Sequence, residues 1–412
     1  MSFKSNLLLS RKSGEYARFG LMATFLVAVL ALSACSSGNA PSGNTGSGAQ
    51  VSAAPGSEVT VRIEPAGGNA VSPTTPIVVH ADHGTLTDVT VTNTVKGKKV
   101  AGVLSPDRTT WTSSEPLGYG SNYTVLVHAS DGSGRPVEQQ SKVTTVAPKQ
   151  QATPQLIPAP ASVAQTGVGV GQPIVFSFTQ AVKDKAAVEK QLSVVSQPVQ
   201  QGGWFWIDDK NVHYRPKDYW KPGTTLTVSA KVYGVNFGNG VYGATDRTET
   251  YKVHDSWVAK ADGATEQMQI FHNGQMVKAM PISMGKDATP THLGPHVISD
   301  KHEVYTMDSC TYGVCKGDPN WYHSDEKWSQ RISNDGEFVH ENPNSVGQQG
   351  NSNVSHGCIN LNDENAKWFF QNLGLGDVVE VANSGGPKLP VWDLYGDWSL
   401  SWQDWQAGSA LK

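Results

Sequence analysis

From Glu58 onward the chain alternates apolar and polar residues in short runs. Val59, Val61 and Ile63 form one run; Ile77-Val78-Val79, Val89 with Val91, and Tyr123, Val125 and Val127 continue the series. Gly, Pro, Asn and Asp separate these runs at intervals of about ten residues, the spacing of short strands joined by tight turns. Period-two alternation puts one face of each strand in a core and the other in water, which predicts a β-sandwich of about ninety residues. Beyond a Pro-bearing stretch at 152–161, alternation resumes with Ile174, Phe176 and Phe178, and later with Leu226, Val228, Ala230 and Val232. A short helical segment over 182–192 interrupts it. Gly120-Ser-Asn-Tyr-Thr-Val125 and Gly223-Thr-Thr-Leu-Thr-Val228 share a turn glycine followed by a Thr-Val strand, which points to two related sandwiches.

A third region begins near Asp255. Met268 and Ile270 lead into Asn273-Gly274, a strong hairpin signal. Strands are predicted around 297–298, 304–305, 338–339 and 378–381. Asn362 is placed to cap a helix running to Leu373, with Trp368, Phe369, Phe370 and Leu373 on its apolar face and Gly374 ending it. Trp392, Trp398, Trp402 and Trp405 crowd the last thirty or so residues and are expected to clamp that segment onto the domain before it.

Composition narrows the class. The 412 residues exceed one compact core, and only 17% are charged while Gly and Pro number 42 and 23, which suits β-rich modules outside the cytoplasm. A net charge of −4 with no basic run argues against nucleic acid. Lys4, Arg11, Lys12 and Arg18 precede an apolar stretch over 21–32, too short to span a bilayer comfortably, so an export signal is expected. It ends Leu32-Ser33-Ala34-Cys35, which resembles a bacterial lipobox; that resemblance implies cleavage before Cys35 and lipid attachment to its sulfur. Each buried methylene contributes about 0.8 kcal/mol, so several chains would hold the protein at a membrane.

Four cysteines remain to be placed: Cys35, Cys310, Cys315 and Cys358. With Cys35 lipidated, Cys310 and Cys315 are close enough to close a small disulfide loop, and Cys358 is left as a free thiol in an oxidising compartment. A free cysteine has a pKa near 8.5 and is only a few per cent thiolate at neutral pH, so a nucleophilic role calls for an activating partner. His340 stands upstream, and Ser355-His356-Gly357-Cys358-Ile359-Asn360 surrounds the thiol. Gly357 lets backbone come close to the sulfur, and peptide N–H groups of this loop can face a tetrahedral oxyanion.

His340, fourteen intervening residues, then Ser355-His356-Gly357-Cys358-Ile359-Asn360 resembles the catalytic signature of the L,D-transpeptidases of the YkuD type. The order of lipobox, two sandwiches, catalytic domain and Trp-rich tail resembles the mycobacterial-type enzymes with two immunoglobulin-like domains. The resemblance implies a mainly β chain: 1–34 signal peptide, 35–54 tether, 55–149 and 150–253 immunoglobulin-like sandwiches, 254–382 catalytic domain, and 383–412 a tail packed on the catalytic domain. It implies that Cys358 attacks the carbonyl preceding the terminal D-Ala of a donor tetrapeptide stem, with His340 as base oriented by the Glu341 carbonyl. A second stem's side-chain amine then resolves the thioester into a 3→3 cross-link. Ser355, His356, Gly357 and Asn360 would shape the nucleophile loop and its oxyanion site. Tyr322 and Met307, in a lid, and Glu341 would bind substrate. The partners implied are peptidoglycan stem peptides and, through Cys35, a membrane; no cofactor or metal is implied, and carbapenem acylation of Cys358 is expected. Two departures from the resemblance stand out, Asn344 where related enzymes often carry an aromatic residue, and the Cys310/Cys315 pair.

Competing readings remain at this level. Water in place of the second stem would make the chain a cysteine peptidoglycan hydrolase or carboxypeptidase. Two sandwiches and many tryptophans also suit a non-catalytic wall-binding protein. A zinc site from His340, His356 and Cys358 lacks the companion ligand motifs. Gly167-Val-Gly-Val-Gly171 follows a linker rather than a strand and reads as a turn, not a phosphate loop.

Overall fold

The structure is a computed structural model describing residues 58–67, 70–319 and 321–411. The signal-like segment, the tether and Cys35 lie outside the described residues.

In the first module, the strands Thr60–Glu64, Val78–Asp82, Thr110–Ser113 and Gly102–Leu104, in that order, make one sheet. Gly84–Asn93, Asn122–Asp131 and Pro136–Thr144 make a second. Alternation turns Val61, Val79 and Trp111 of the first sheet toward Leu86, Val91, Val125 and Val127 of the second, closing one buried core. The second module repeats the plan. Pro154–Ile157, Ile174–Phe178, Asn211–Pro216 and Gly202–Trp206 pair in that order, opposite Leu192–Gln197, Thr225–Ala230 and Arg247–Lys252. Leaving aside a small added sheet (150–152, 236–238 and 241–243), both modules pair first, second, fifth and fourth strands against third, sixth and seventh. That is the strand order of a seven-stranded immunoglobulin sandwich. The repeated Gly-to-Thr-Val phrase falls at the same place in each, entering the central strand of the three-stranded sheet, with φ of 55° at Gly120 and 77° at Gly223. The expected helix is present as a single turn and a half, Lys185–Glu189, capped by Asp184.

The third module carries the site, and its elements are numbered from here. They are β1 (Trp257–Asp262), β2 (Gln267–His272), β3 (Gln275–Pro281), β4 (Gly294–Val297), β5 (Asp300–Asp308), β6 (His323–Arg331), β7 (Phe338–Glu341), β8 (Ile359–Leu361), α1 (Asp363–Asn372) and β9 (Val378–Ala382). One sheet runs β3-β2-β1-β9-β4 and the other β5-β6-β7-β8. Ala259, Met268, Ile270 and Val379 of the first meet Val339, Ile359 and Leu361 of the second, with Ala366, Phe369 and Leu373 of α1 filling the space between. Asn273 and Gly274, at φ 49° and 80°, form the two-residue turn joining β2 to β3. The Asn362 side chain accepts the Asn365 N–H at 2.9 Å and starts α1. Lys301 Nζ donates to the carbonyls of Phe370 and Leu373 at its far end, satisfying groups the helix leaves open.

The glycine-rich run 167–171 is a contact surface. A Cβ on Gly169 would sit 2.2 Å from the backbone N of Asp377, and Gly169 N–H and Gly171 N–H donate to Leu375 and Gly376 carbonyls at 2.8 and 2.9 Å. Only glycine lets the second sandwich and the third module come this close.

The tail differs from the sequence expectation. Its tryptophans pack on the second sandwich rather than on the catalytic region alone, because the buried cation they enclose belongs to that sandwich. The Arg215 guanidinium lies 4.7 Å from the Trp398 ring, 4.8 Å from Trp405 and 5.5 Å from Trp402. Burial pulls its pKa down to about 10 against the raising effect of Asp397. Asp397 takes a 2.8 Å bond with His213 Nδ1, Trp398 Nε1–H donates to Gly171 O, and Trp405 Nε1–H donates to Gly203 O. Trp392, 62% exposed, takes no part in the enclosure. The tail does meet the third module, as expected, but through other residues: Leu293 exchanges backbone bonds with Pro387 and Leu389, Asp393 accepts the N–H groups of Asn334 and Asp335, and Tyr395 is buried with Val175 and Val297. Trp405 is fully buried, so Trp405→Ala is expected to reduce stability by about 3–5 kcal/mol, read as a lowered urea midpoint; an unchanged midpoint would mean the tail is not clamped.

Candidate active site

His340 lies in β7, and Cys358 is the residue just before β8. β7 and β8 pair in parallel, Val339 opposite Ile359 and His340 opposite Asn360. Because side chains alternate, Val339, Ile359 and Leu361 enter the core while Phe338, His340, Cys358 and Asn360 take the other face. That face forms the floor of a cleft of about 330 Å³, lined also by Met307, Tyr322, Ser324, Glu326, Asn342, Asn344 and Ser355. A larger hollow of about 510 Å³ beside β1 and β9 is lined by Lys260, Asp262, Gln267 and Glu380, and has neither cysteine nor histidine in its wall.

Within the cleft, His340 Nδ1 lies 2.6 Å from the Glu341 carbonyl and 3.4 Å from Glu326 Oε2. Those two acceptors fix the proton on Nδ1 and leave Nε2 for the sulfur. Its burial pushes the His340 pKa down, but hydrogen bonds with the Cys358 and Glu326 side chains outweigh burial and carry it up to about 10. Burial also works against the Glu326 charge, yet its bonds to His340 and Ser324 hold that carboxyl below the ordinary range. Cys358 is 8% exposed, and its Sγ lies 3.6 Å from the Gly336 carbonyl. An imidazole with a favoured charged form beside a thiol is the arrangement that stabilises a thiolate.

The loop around the cysteine is heavily bonded. Ser355 Oγ donates to the Cys358 carbonyl at 2.6 Å and accepts the Gly357 N–H at 3.1 Å. That bond commits the Gly357 N–H, so the expected oxyanion role does not fit it; Gly357 serves by conformation, with φ 125°, which L side chains rarely adopt. Thr291 Oγ1 donates to the Gly357 carbonyl at 2.8 Å. The Asn360 peptide exchanges bonds with Ser283, and its side chain donates to Ser345 Oγ at 3.2 Å. At the rim, His356 lies 3.2 Å from Lys286 Nζ and 5.6 Å from the Tyr322 ring; its ring is only partly withdrawn from water, and that partial desolvation together with the Lys286 charge lowers its pKa.

Met307 is buried against Phe338 and Cys358, with Tyr322 packed on the same cluster. Both stand at the ends of the β5–β6 lid, whose tip Cys310 and Cys315 close with a disulfide. Glu341 is the exception among the anticipated substrate contacts. It sits on the alternate side of β7, its side chain buried beside Lys327 at 3.7 Å, and its contribution is the carbonyl that His340 uses.

Sequence reasoning missed Glu326. No motif marks it, but strand alternation could have: Ser324 and Glu326 share one face of β6. One pair is then missing from the ladder, where Trp328 takes φ 53° opposite Glu303, between the Val304–Lys327 and His302–Ser329 pairs, and the register carries on unchanged. It also missed His292, His296 and Glu337, which cluster behind the nucleophile loop.

The sequence profile of the L,D-transpeptidase catalytic domain matches residues 256–381, and that of a bacterial Ig domain matches 68–236, running across both sandwiches. L,D-transpeptidase 2 of Mycobacterium tuberculosis (strain CDC 1551 / Oshkosh) is 39% identical over 335 residues, 81% of this chain and 81% of that protein. L,D-transpeptidase 5 of Mycobacterium tuberculosis (strain ATCC 25618 / H37Rv) is 38% identical over 348 residues, 83% of this chain and 74% of its own length. The solved structure of LD transpeptidase LdtMt1 in complex with imipenem is 32% identical, covers 55% of this chain and 99% of that one, and superposes with a TM-score of 0.47. The chain belongs to the L,D-transpeptidase family.

His340 carries a testable pH signature. Its folded pKa of about 10 lies above the ordinary 6.5, so its protonation stabilises the fold fully below about pH 6.5 and that contribution is lost as pH rises toward 10. In urea titrations between these limits, His340→Gln should flatten the fall in midpoint; an equally steep fall in the variant would contradict the assignment.

Proposed function

We propose that the chain builds 3→3 cross-links in peptidoglycan, with Cys358 as nucleophile and His340 as its base. The observation that carries this reading is the placement of the His340 imidazole and the Cys358 thiol on the same face of the β7–β8 pair, both lining one open cleft, within a domain matched to the transpeptidase catalytic family. With the proton held on His340, the sulfur attacks as a thiolate the diaminopimelate carbonyl that precedes the terminal D-Ala. The tetrahedral oxyanion is assigned to the Cys358 peptide N–H, at the mouth of β8. Collapse breaks the amide bond, His340 returns the proton to the departing amine, and D-Ala leaves behind a thioester. The side-chain amine of a second stem then attacks that thioester. His340 removes its proton and hands it to the sulfur, so that one amide bond is lost, one is gained and the thiol is regenerated.

Glu326 and the Glu341 carbonyl hold the imidazole at the angle the transfer needs, and Glu326 offsets the positive charge that develops. Tyr322 and Met307 cover the sulfur from the lid side, and Asn344 leaves the opposite wall polar. A β-lactam carbonyl presented to the same thiolate would form a stable thioester, so carbapenems are assigned as acylating inhibitors.

With disaccharide-tetrapeptides as substrate, the purified protein is expected to release D-Ala and form dimers detectable by mass spectrometry, and a carbapenem is expected to add its mass to the Cys358 peptide. Cys358→Ala should lose both, with dimer formation falling at least a thousandfold. Tripeptide without dimer would replace the transferase reading by hydrolysis, and full cross-linking by the variant would remove it.

The apolar segment ending at Cys35 supports export and lipid attachment, which would tether the two sandwiches and place the cleft in the wall. Among the described residues no helix is long and apolar enough to cross a membrane. The expressed protein should partition into detergent and Cys35→Ser should not; recovery of both in the aqueous phase would refute the anchor.

A further inference from the structure

Behind the nucleophile loop lies a second polar cluster that the reaction above does not use. Glu337, 5% exposed, stands in the turn between β6 and β7. Its Oε1 accepts the His292 peptide N–H at 2.8 Å and lies 3.0 Å from His292 Nδ1, while Oε2 lies 3.2 Å from His296 Nε2. His296 is fully buried, and its other ring nitrogen is 2.9 Å from the Gly294 carbonyl. An ionised carboxylate withdrawn from water is costly unless charged or hydrogen-bonding partners surround it. Here two imidazoles and a peptide N–H do so. They overcome the upward push of burial and hold the Glu337 carboxyl down at about 2.

The cluster's position gives it a mechanical consequence. Glu337 is the immediate neighbour of Gly336, whose carbonyl faces the Cys358 sulfur. A Cβ on Gly357 would stand 3.5 Å from Glu337 Cγ, so the glutamate side chain packs directly on the backbone preceding the nucleophile. The segment that Glu337 grips, 291–292, also supplies the Thr291 hydroxyl to the Gly357 carbonyl. From the opposite side, Asp393 of the tail takes the N–H groups of Asn334 and Asp335, and Ser333 Oγ accepts the Glu337 N–H. Asp335 completes the charges about His292, 4.0 Å from its Nε2. The carboxylate is therefore the link between two backbone segments that both press on residues 357–358.

We propose that Glu337, clasped by His292 and His296, is a positioning residue that sets the Gly336 carbonyl and the Gly357 backbone against Cys358 and so fixes the direction in which the sulfur points. This rests on Cys358 being the nucleophile. A neutral amide at 337 cannot accept from both imidazoles and the peptide N–H together, so the turn relaxes and the sulfur samples unproductive rotamers. A reacting atom misplaced by about 1 Å can lower a rate by about a hundredfold without weakening substrate binding.

The test compares full-length wild type, Glu337→Gln, Glu337→Asp and His292→Gln, with Cys358→Ala as reference, using disaccharide-tetrapeptide and following D-Ala release. Glu337→Gln is expected to lower kcat at least tenfold with KM within about twofold, and Glu337→Asp to recover part of the loss. His292→Gln, which removes the outer grip and keeps the carboxylate, is expected to lose about threefold in kcat. Wild-type kcat in a folded Glu337→Gln overturns the proposal, as does a rise in KM alone. Should that variant not fold, wild-type kcat in His292→Gln overturns it instead. Activity surviving in Cys358→Ala would fail the nucleophile reading itself, a result separable from any behaviour of the 337 variants.

Discussion

The parallel pairing of β7 with β8 is the constraint from which the site follows. Its register sets His340 opposite Asn360 and brings Cys358 to the mouth of the next strand on the same face. A slip of one residue would exchange faces, sending His340 into the hydrophobic core and Val339 into the cleft. The core prevents that slip, since Val339, Ile359 and Leu361 are all buried in one cluster with α1 and the facing sheet. Apolar burial on one side of two short strands thus determines the distance between an imidazole and a thiol on the other.

Parallel strands need a crossover, and here the connection of residues 342–358 is itself the functional loop. It leaves β7 through a short turn in which Asn342 caps Asn344, and returns through the bonded Ser355–Cys358 hook. Neighbouring segments hold it at both ends: Ser283 and Thr291 from the first sheet's connections, Gly336 and Glu337 from the turn before β7. A loop of ordinary flexibility could not keep a thiol aligned; this one has most of its nearby backbone groups committed to partners.

At a longer range the tail ties the modules together. Arg215 is a buried cation inside three indole rings, and Asp397 and His213 form a buried pair beside it. The same tail sends Asp393 to the turn before β7, so the second sandwich and the site share one covalent clasp. The bare glycine contact at residues 169–171 seats the sandwich against residues 375–377 from the other direction. These contacts give the second sandwich a direct physical connection to the catalytic region.

Much of this was written in local sequence. Alternation such as Val59-Val61-Ile63 reveals strands because burial on one face depends only on neighbouring residues, and Asn273-Gly274 reveals a turn because its dihedral angles do. The His340-to-Asn360 motif was legible because its roles are packed into twenty-one consecutive residues. What the sequence could not supply was any pairing between distant segments. Glu326 beside His340, Glu337 between His292 and His296, and Arg215 among the tail tryptophans join residues 14 to 190 positions apart. Which acid meets which base, and which sandwich the tail clasps, depends on strand register and module packing. Only the folded chain decides these, because burial there makes each charge find a partner that its own sequence neighbourhood does not name.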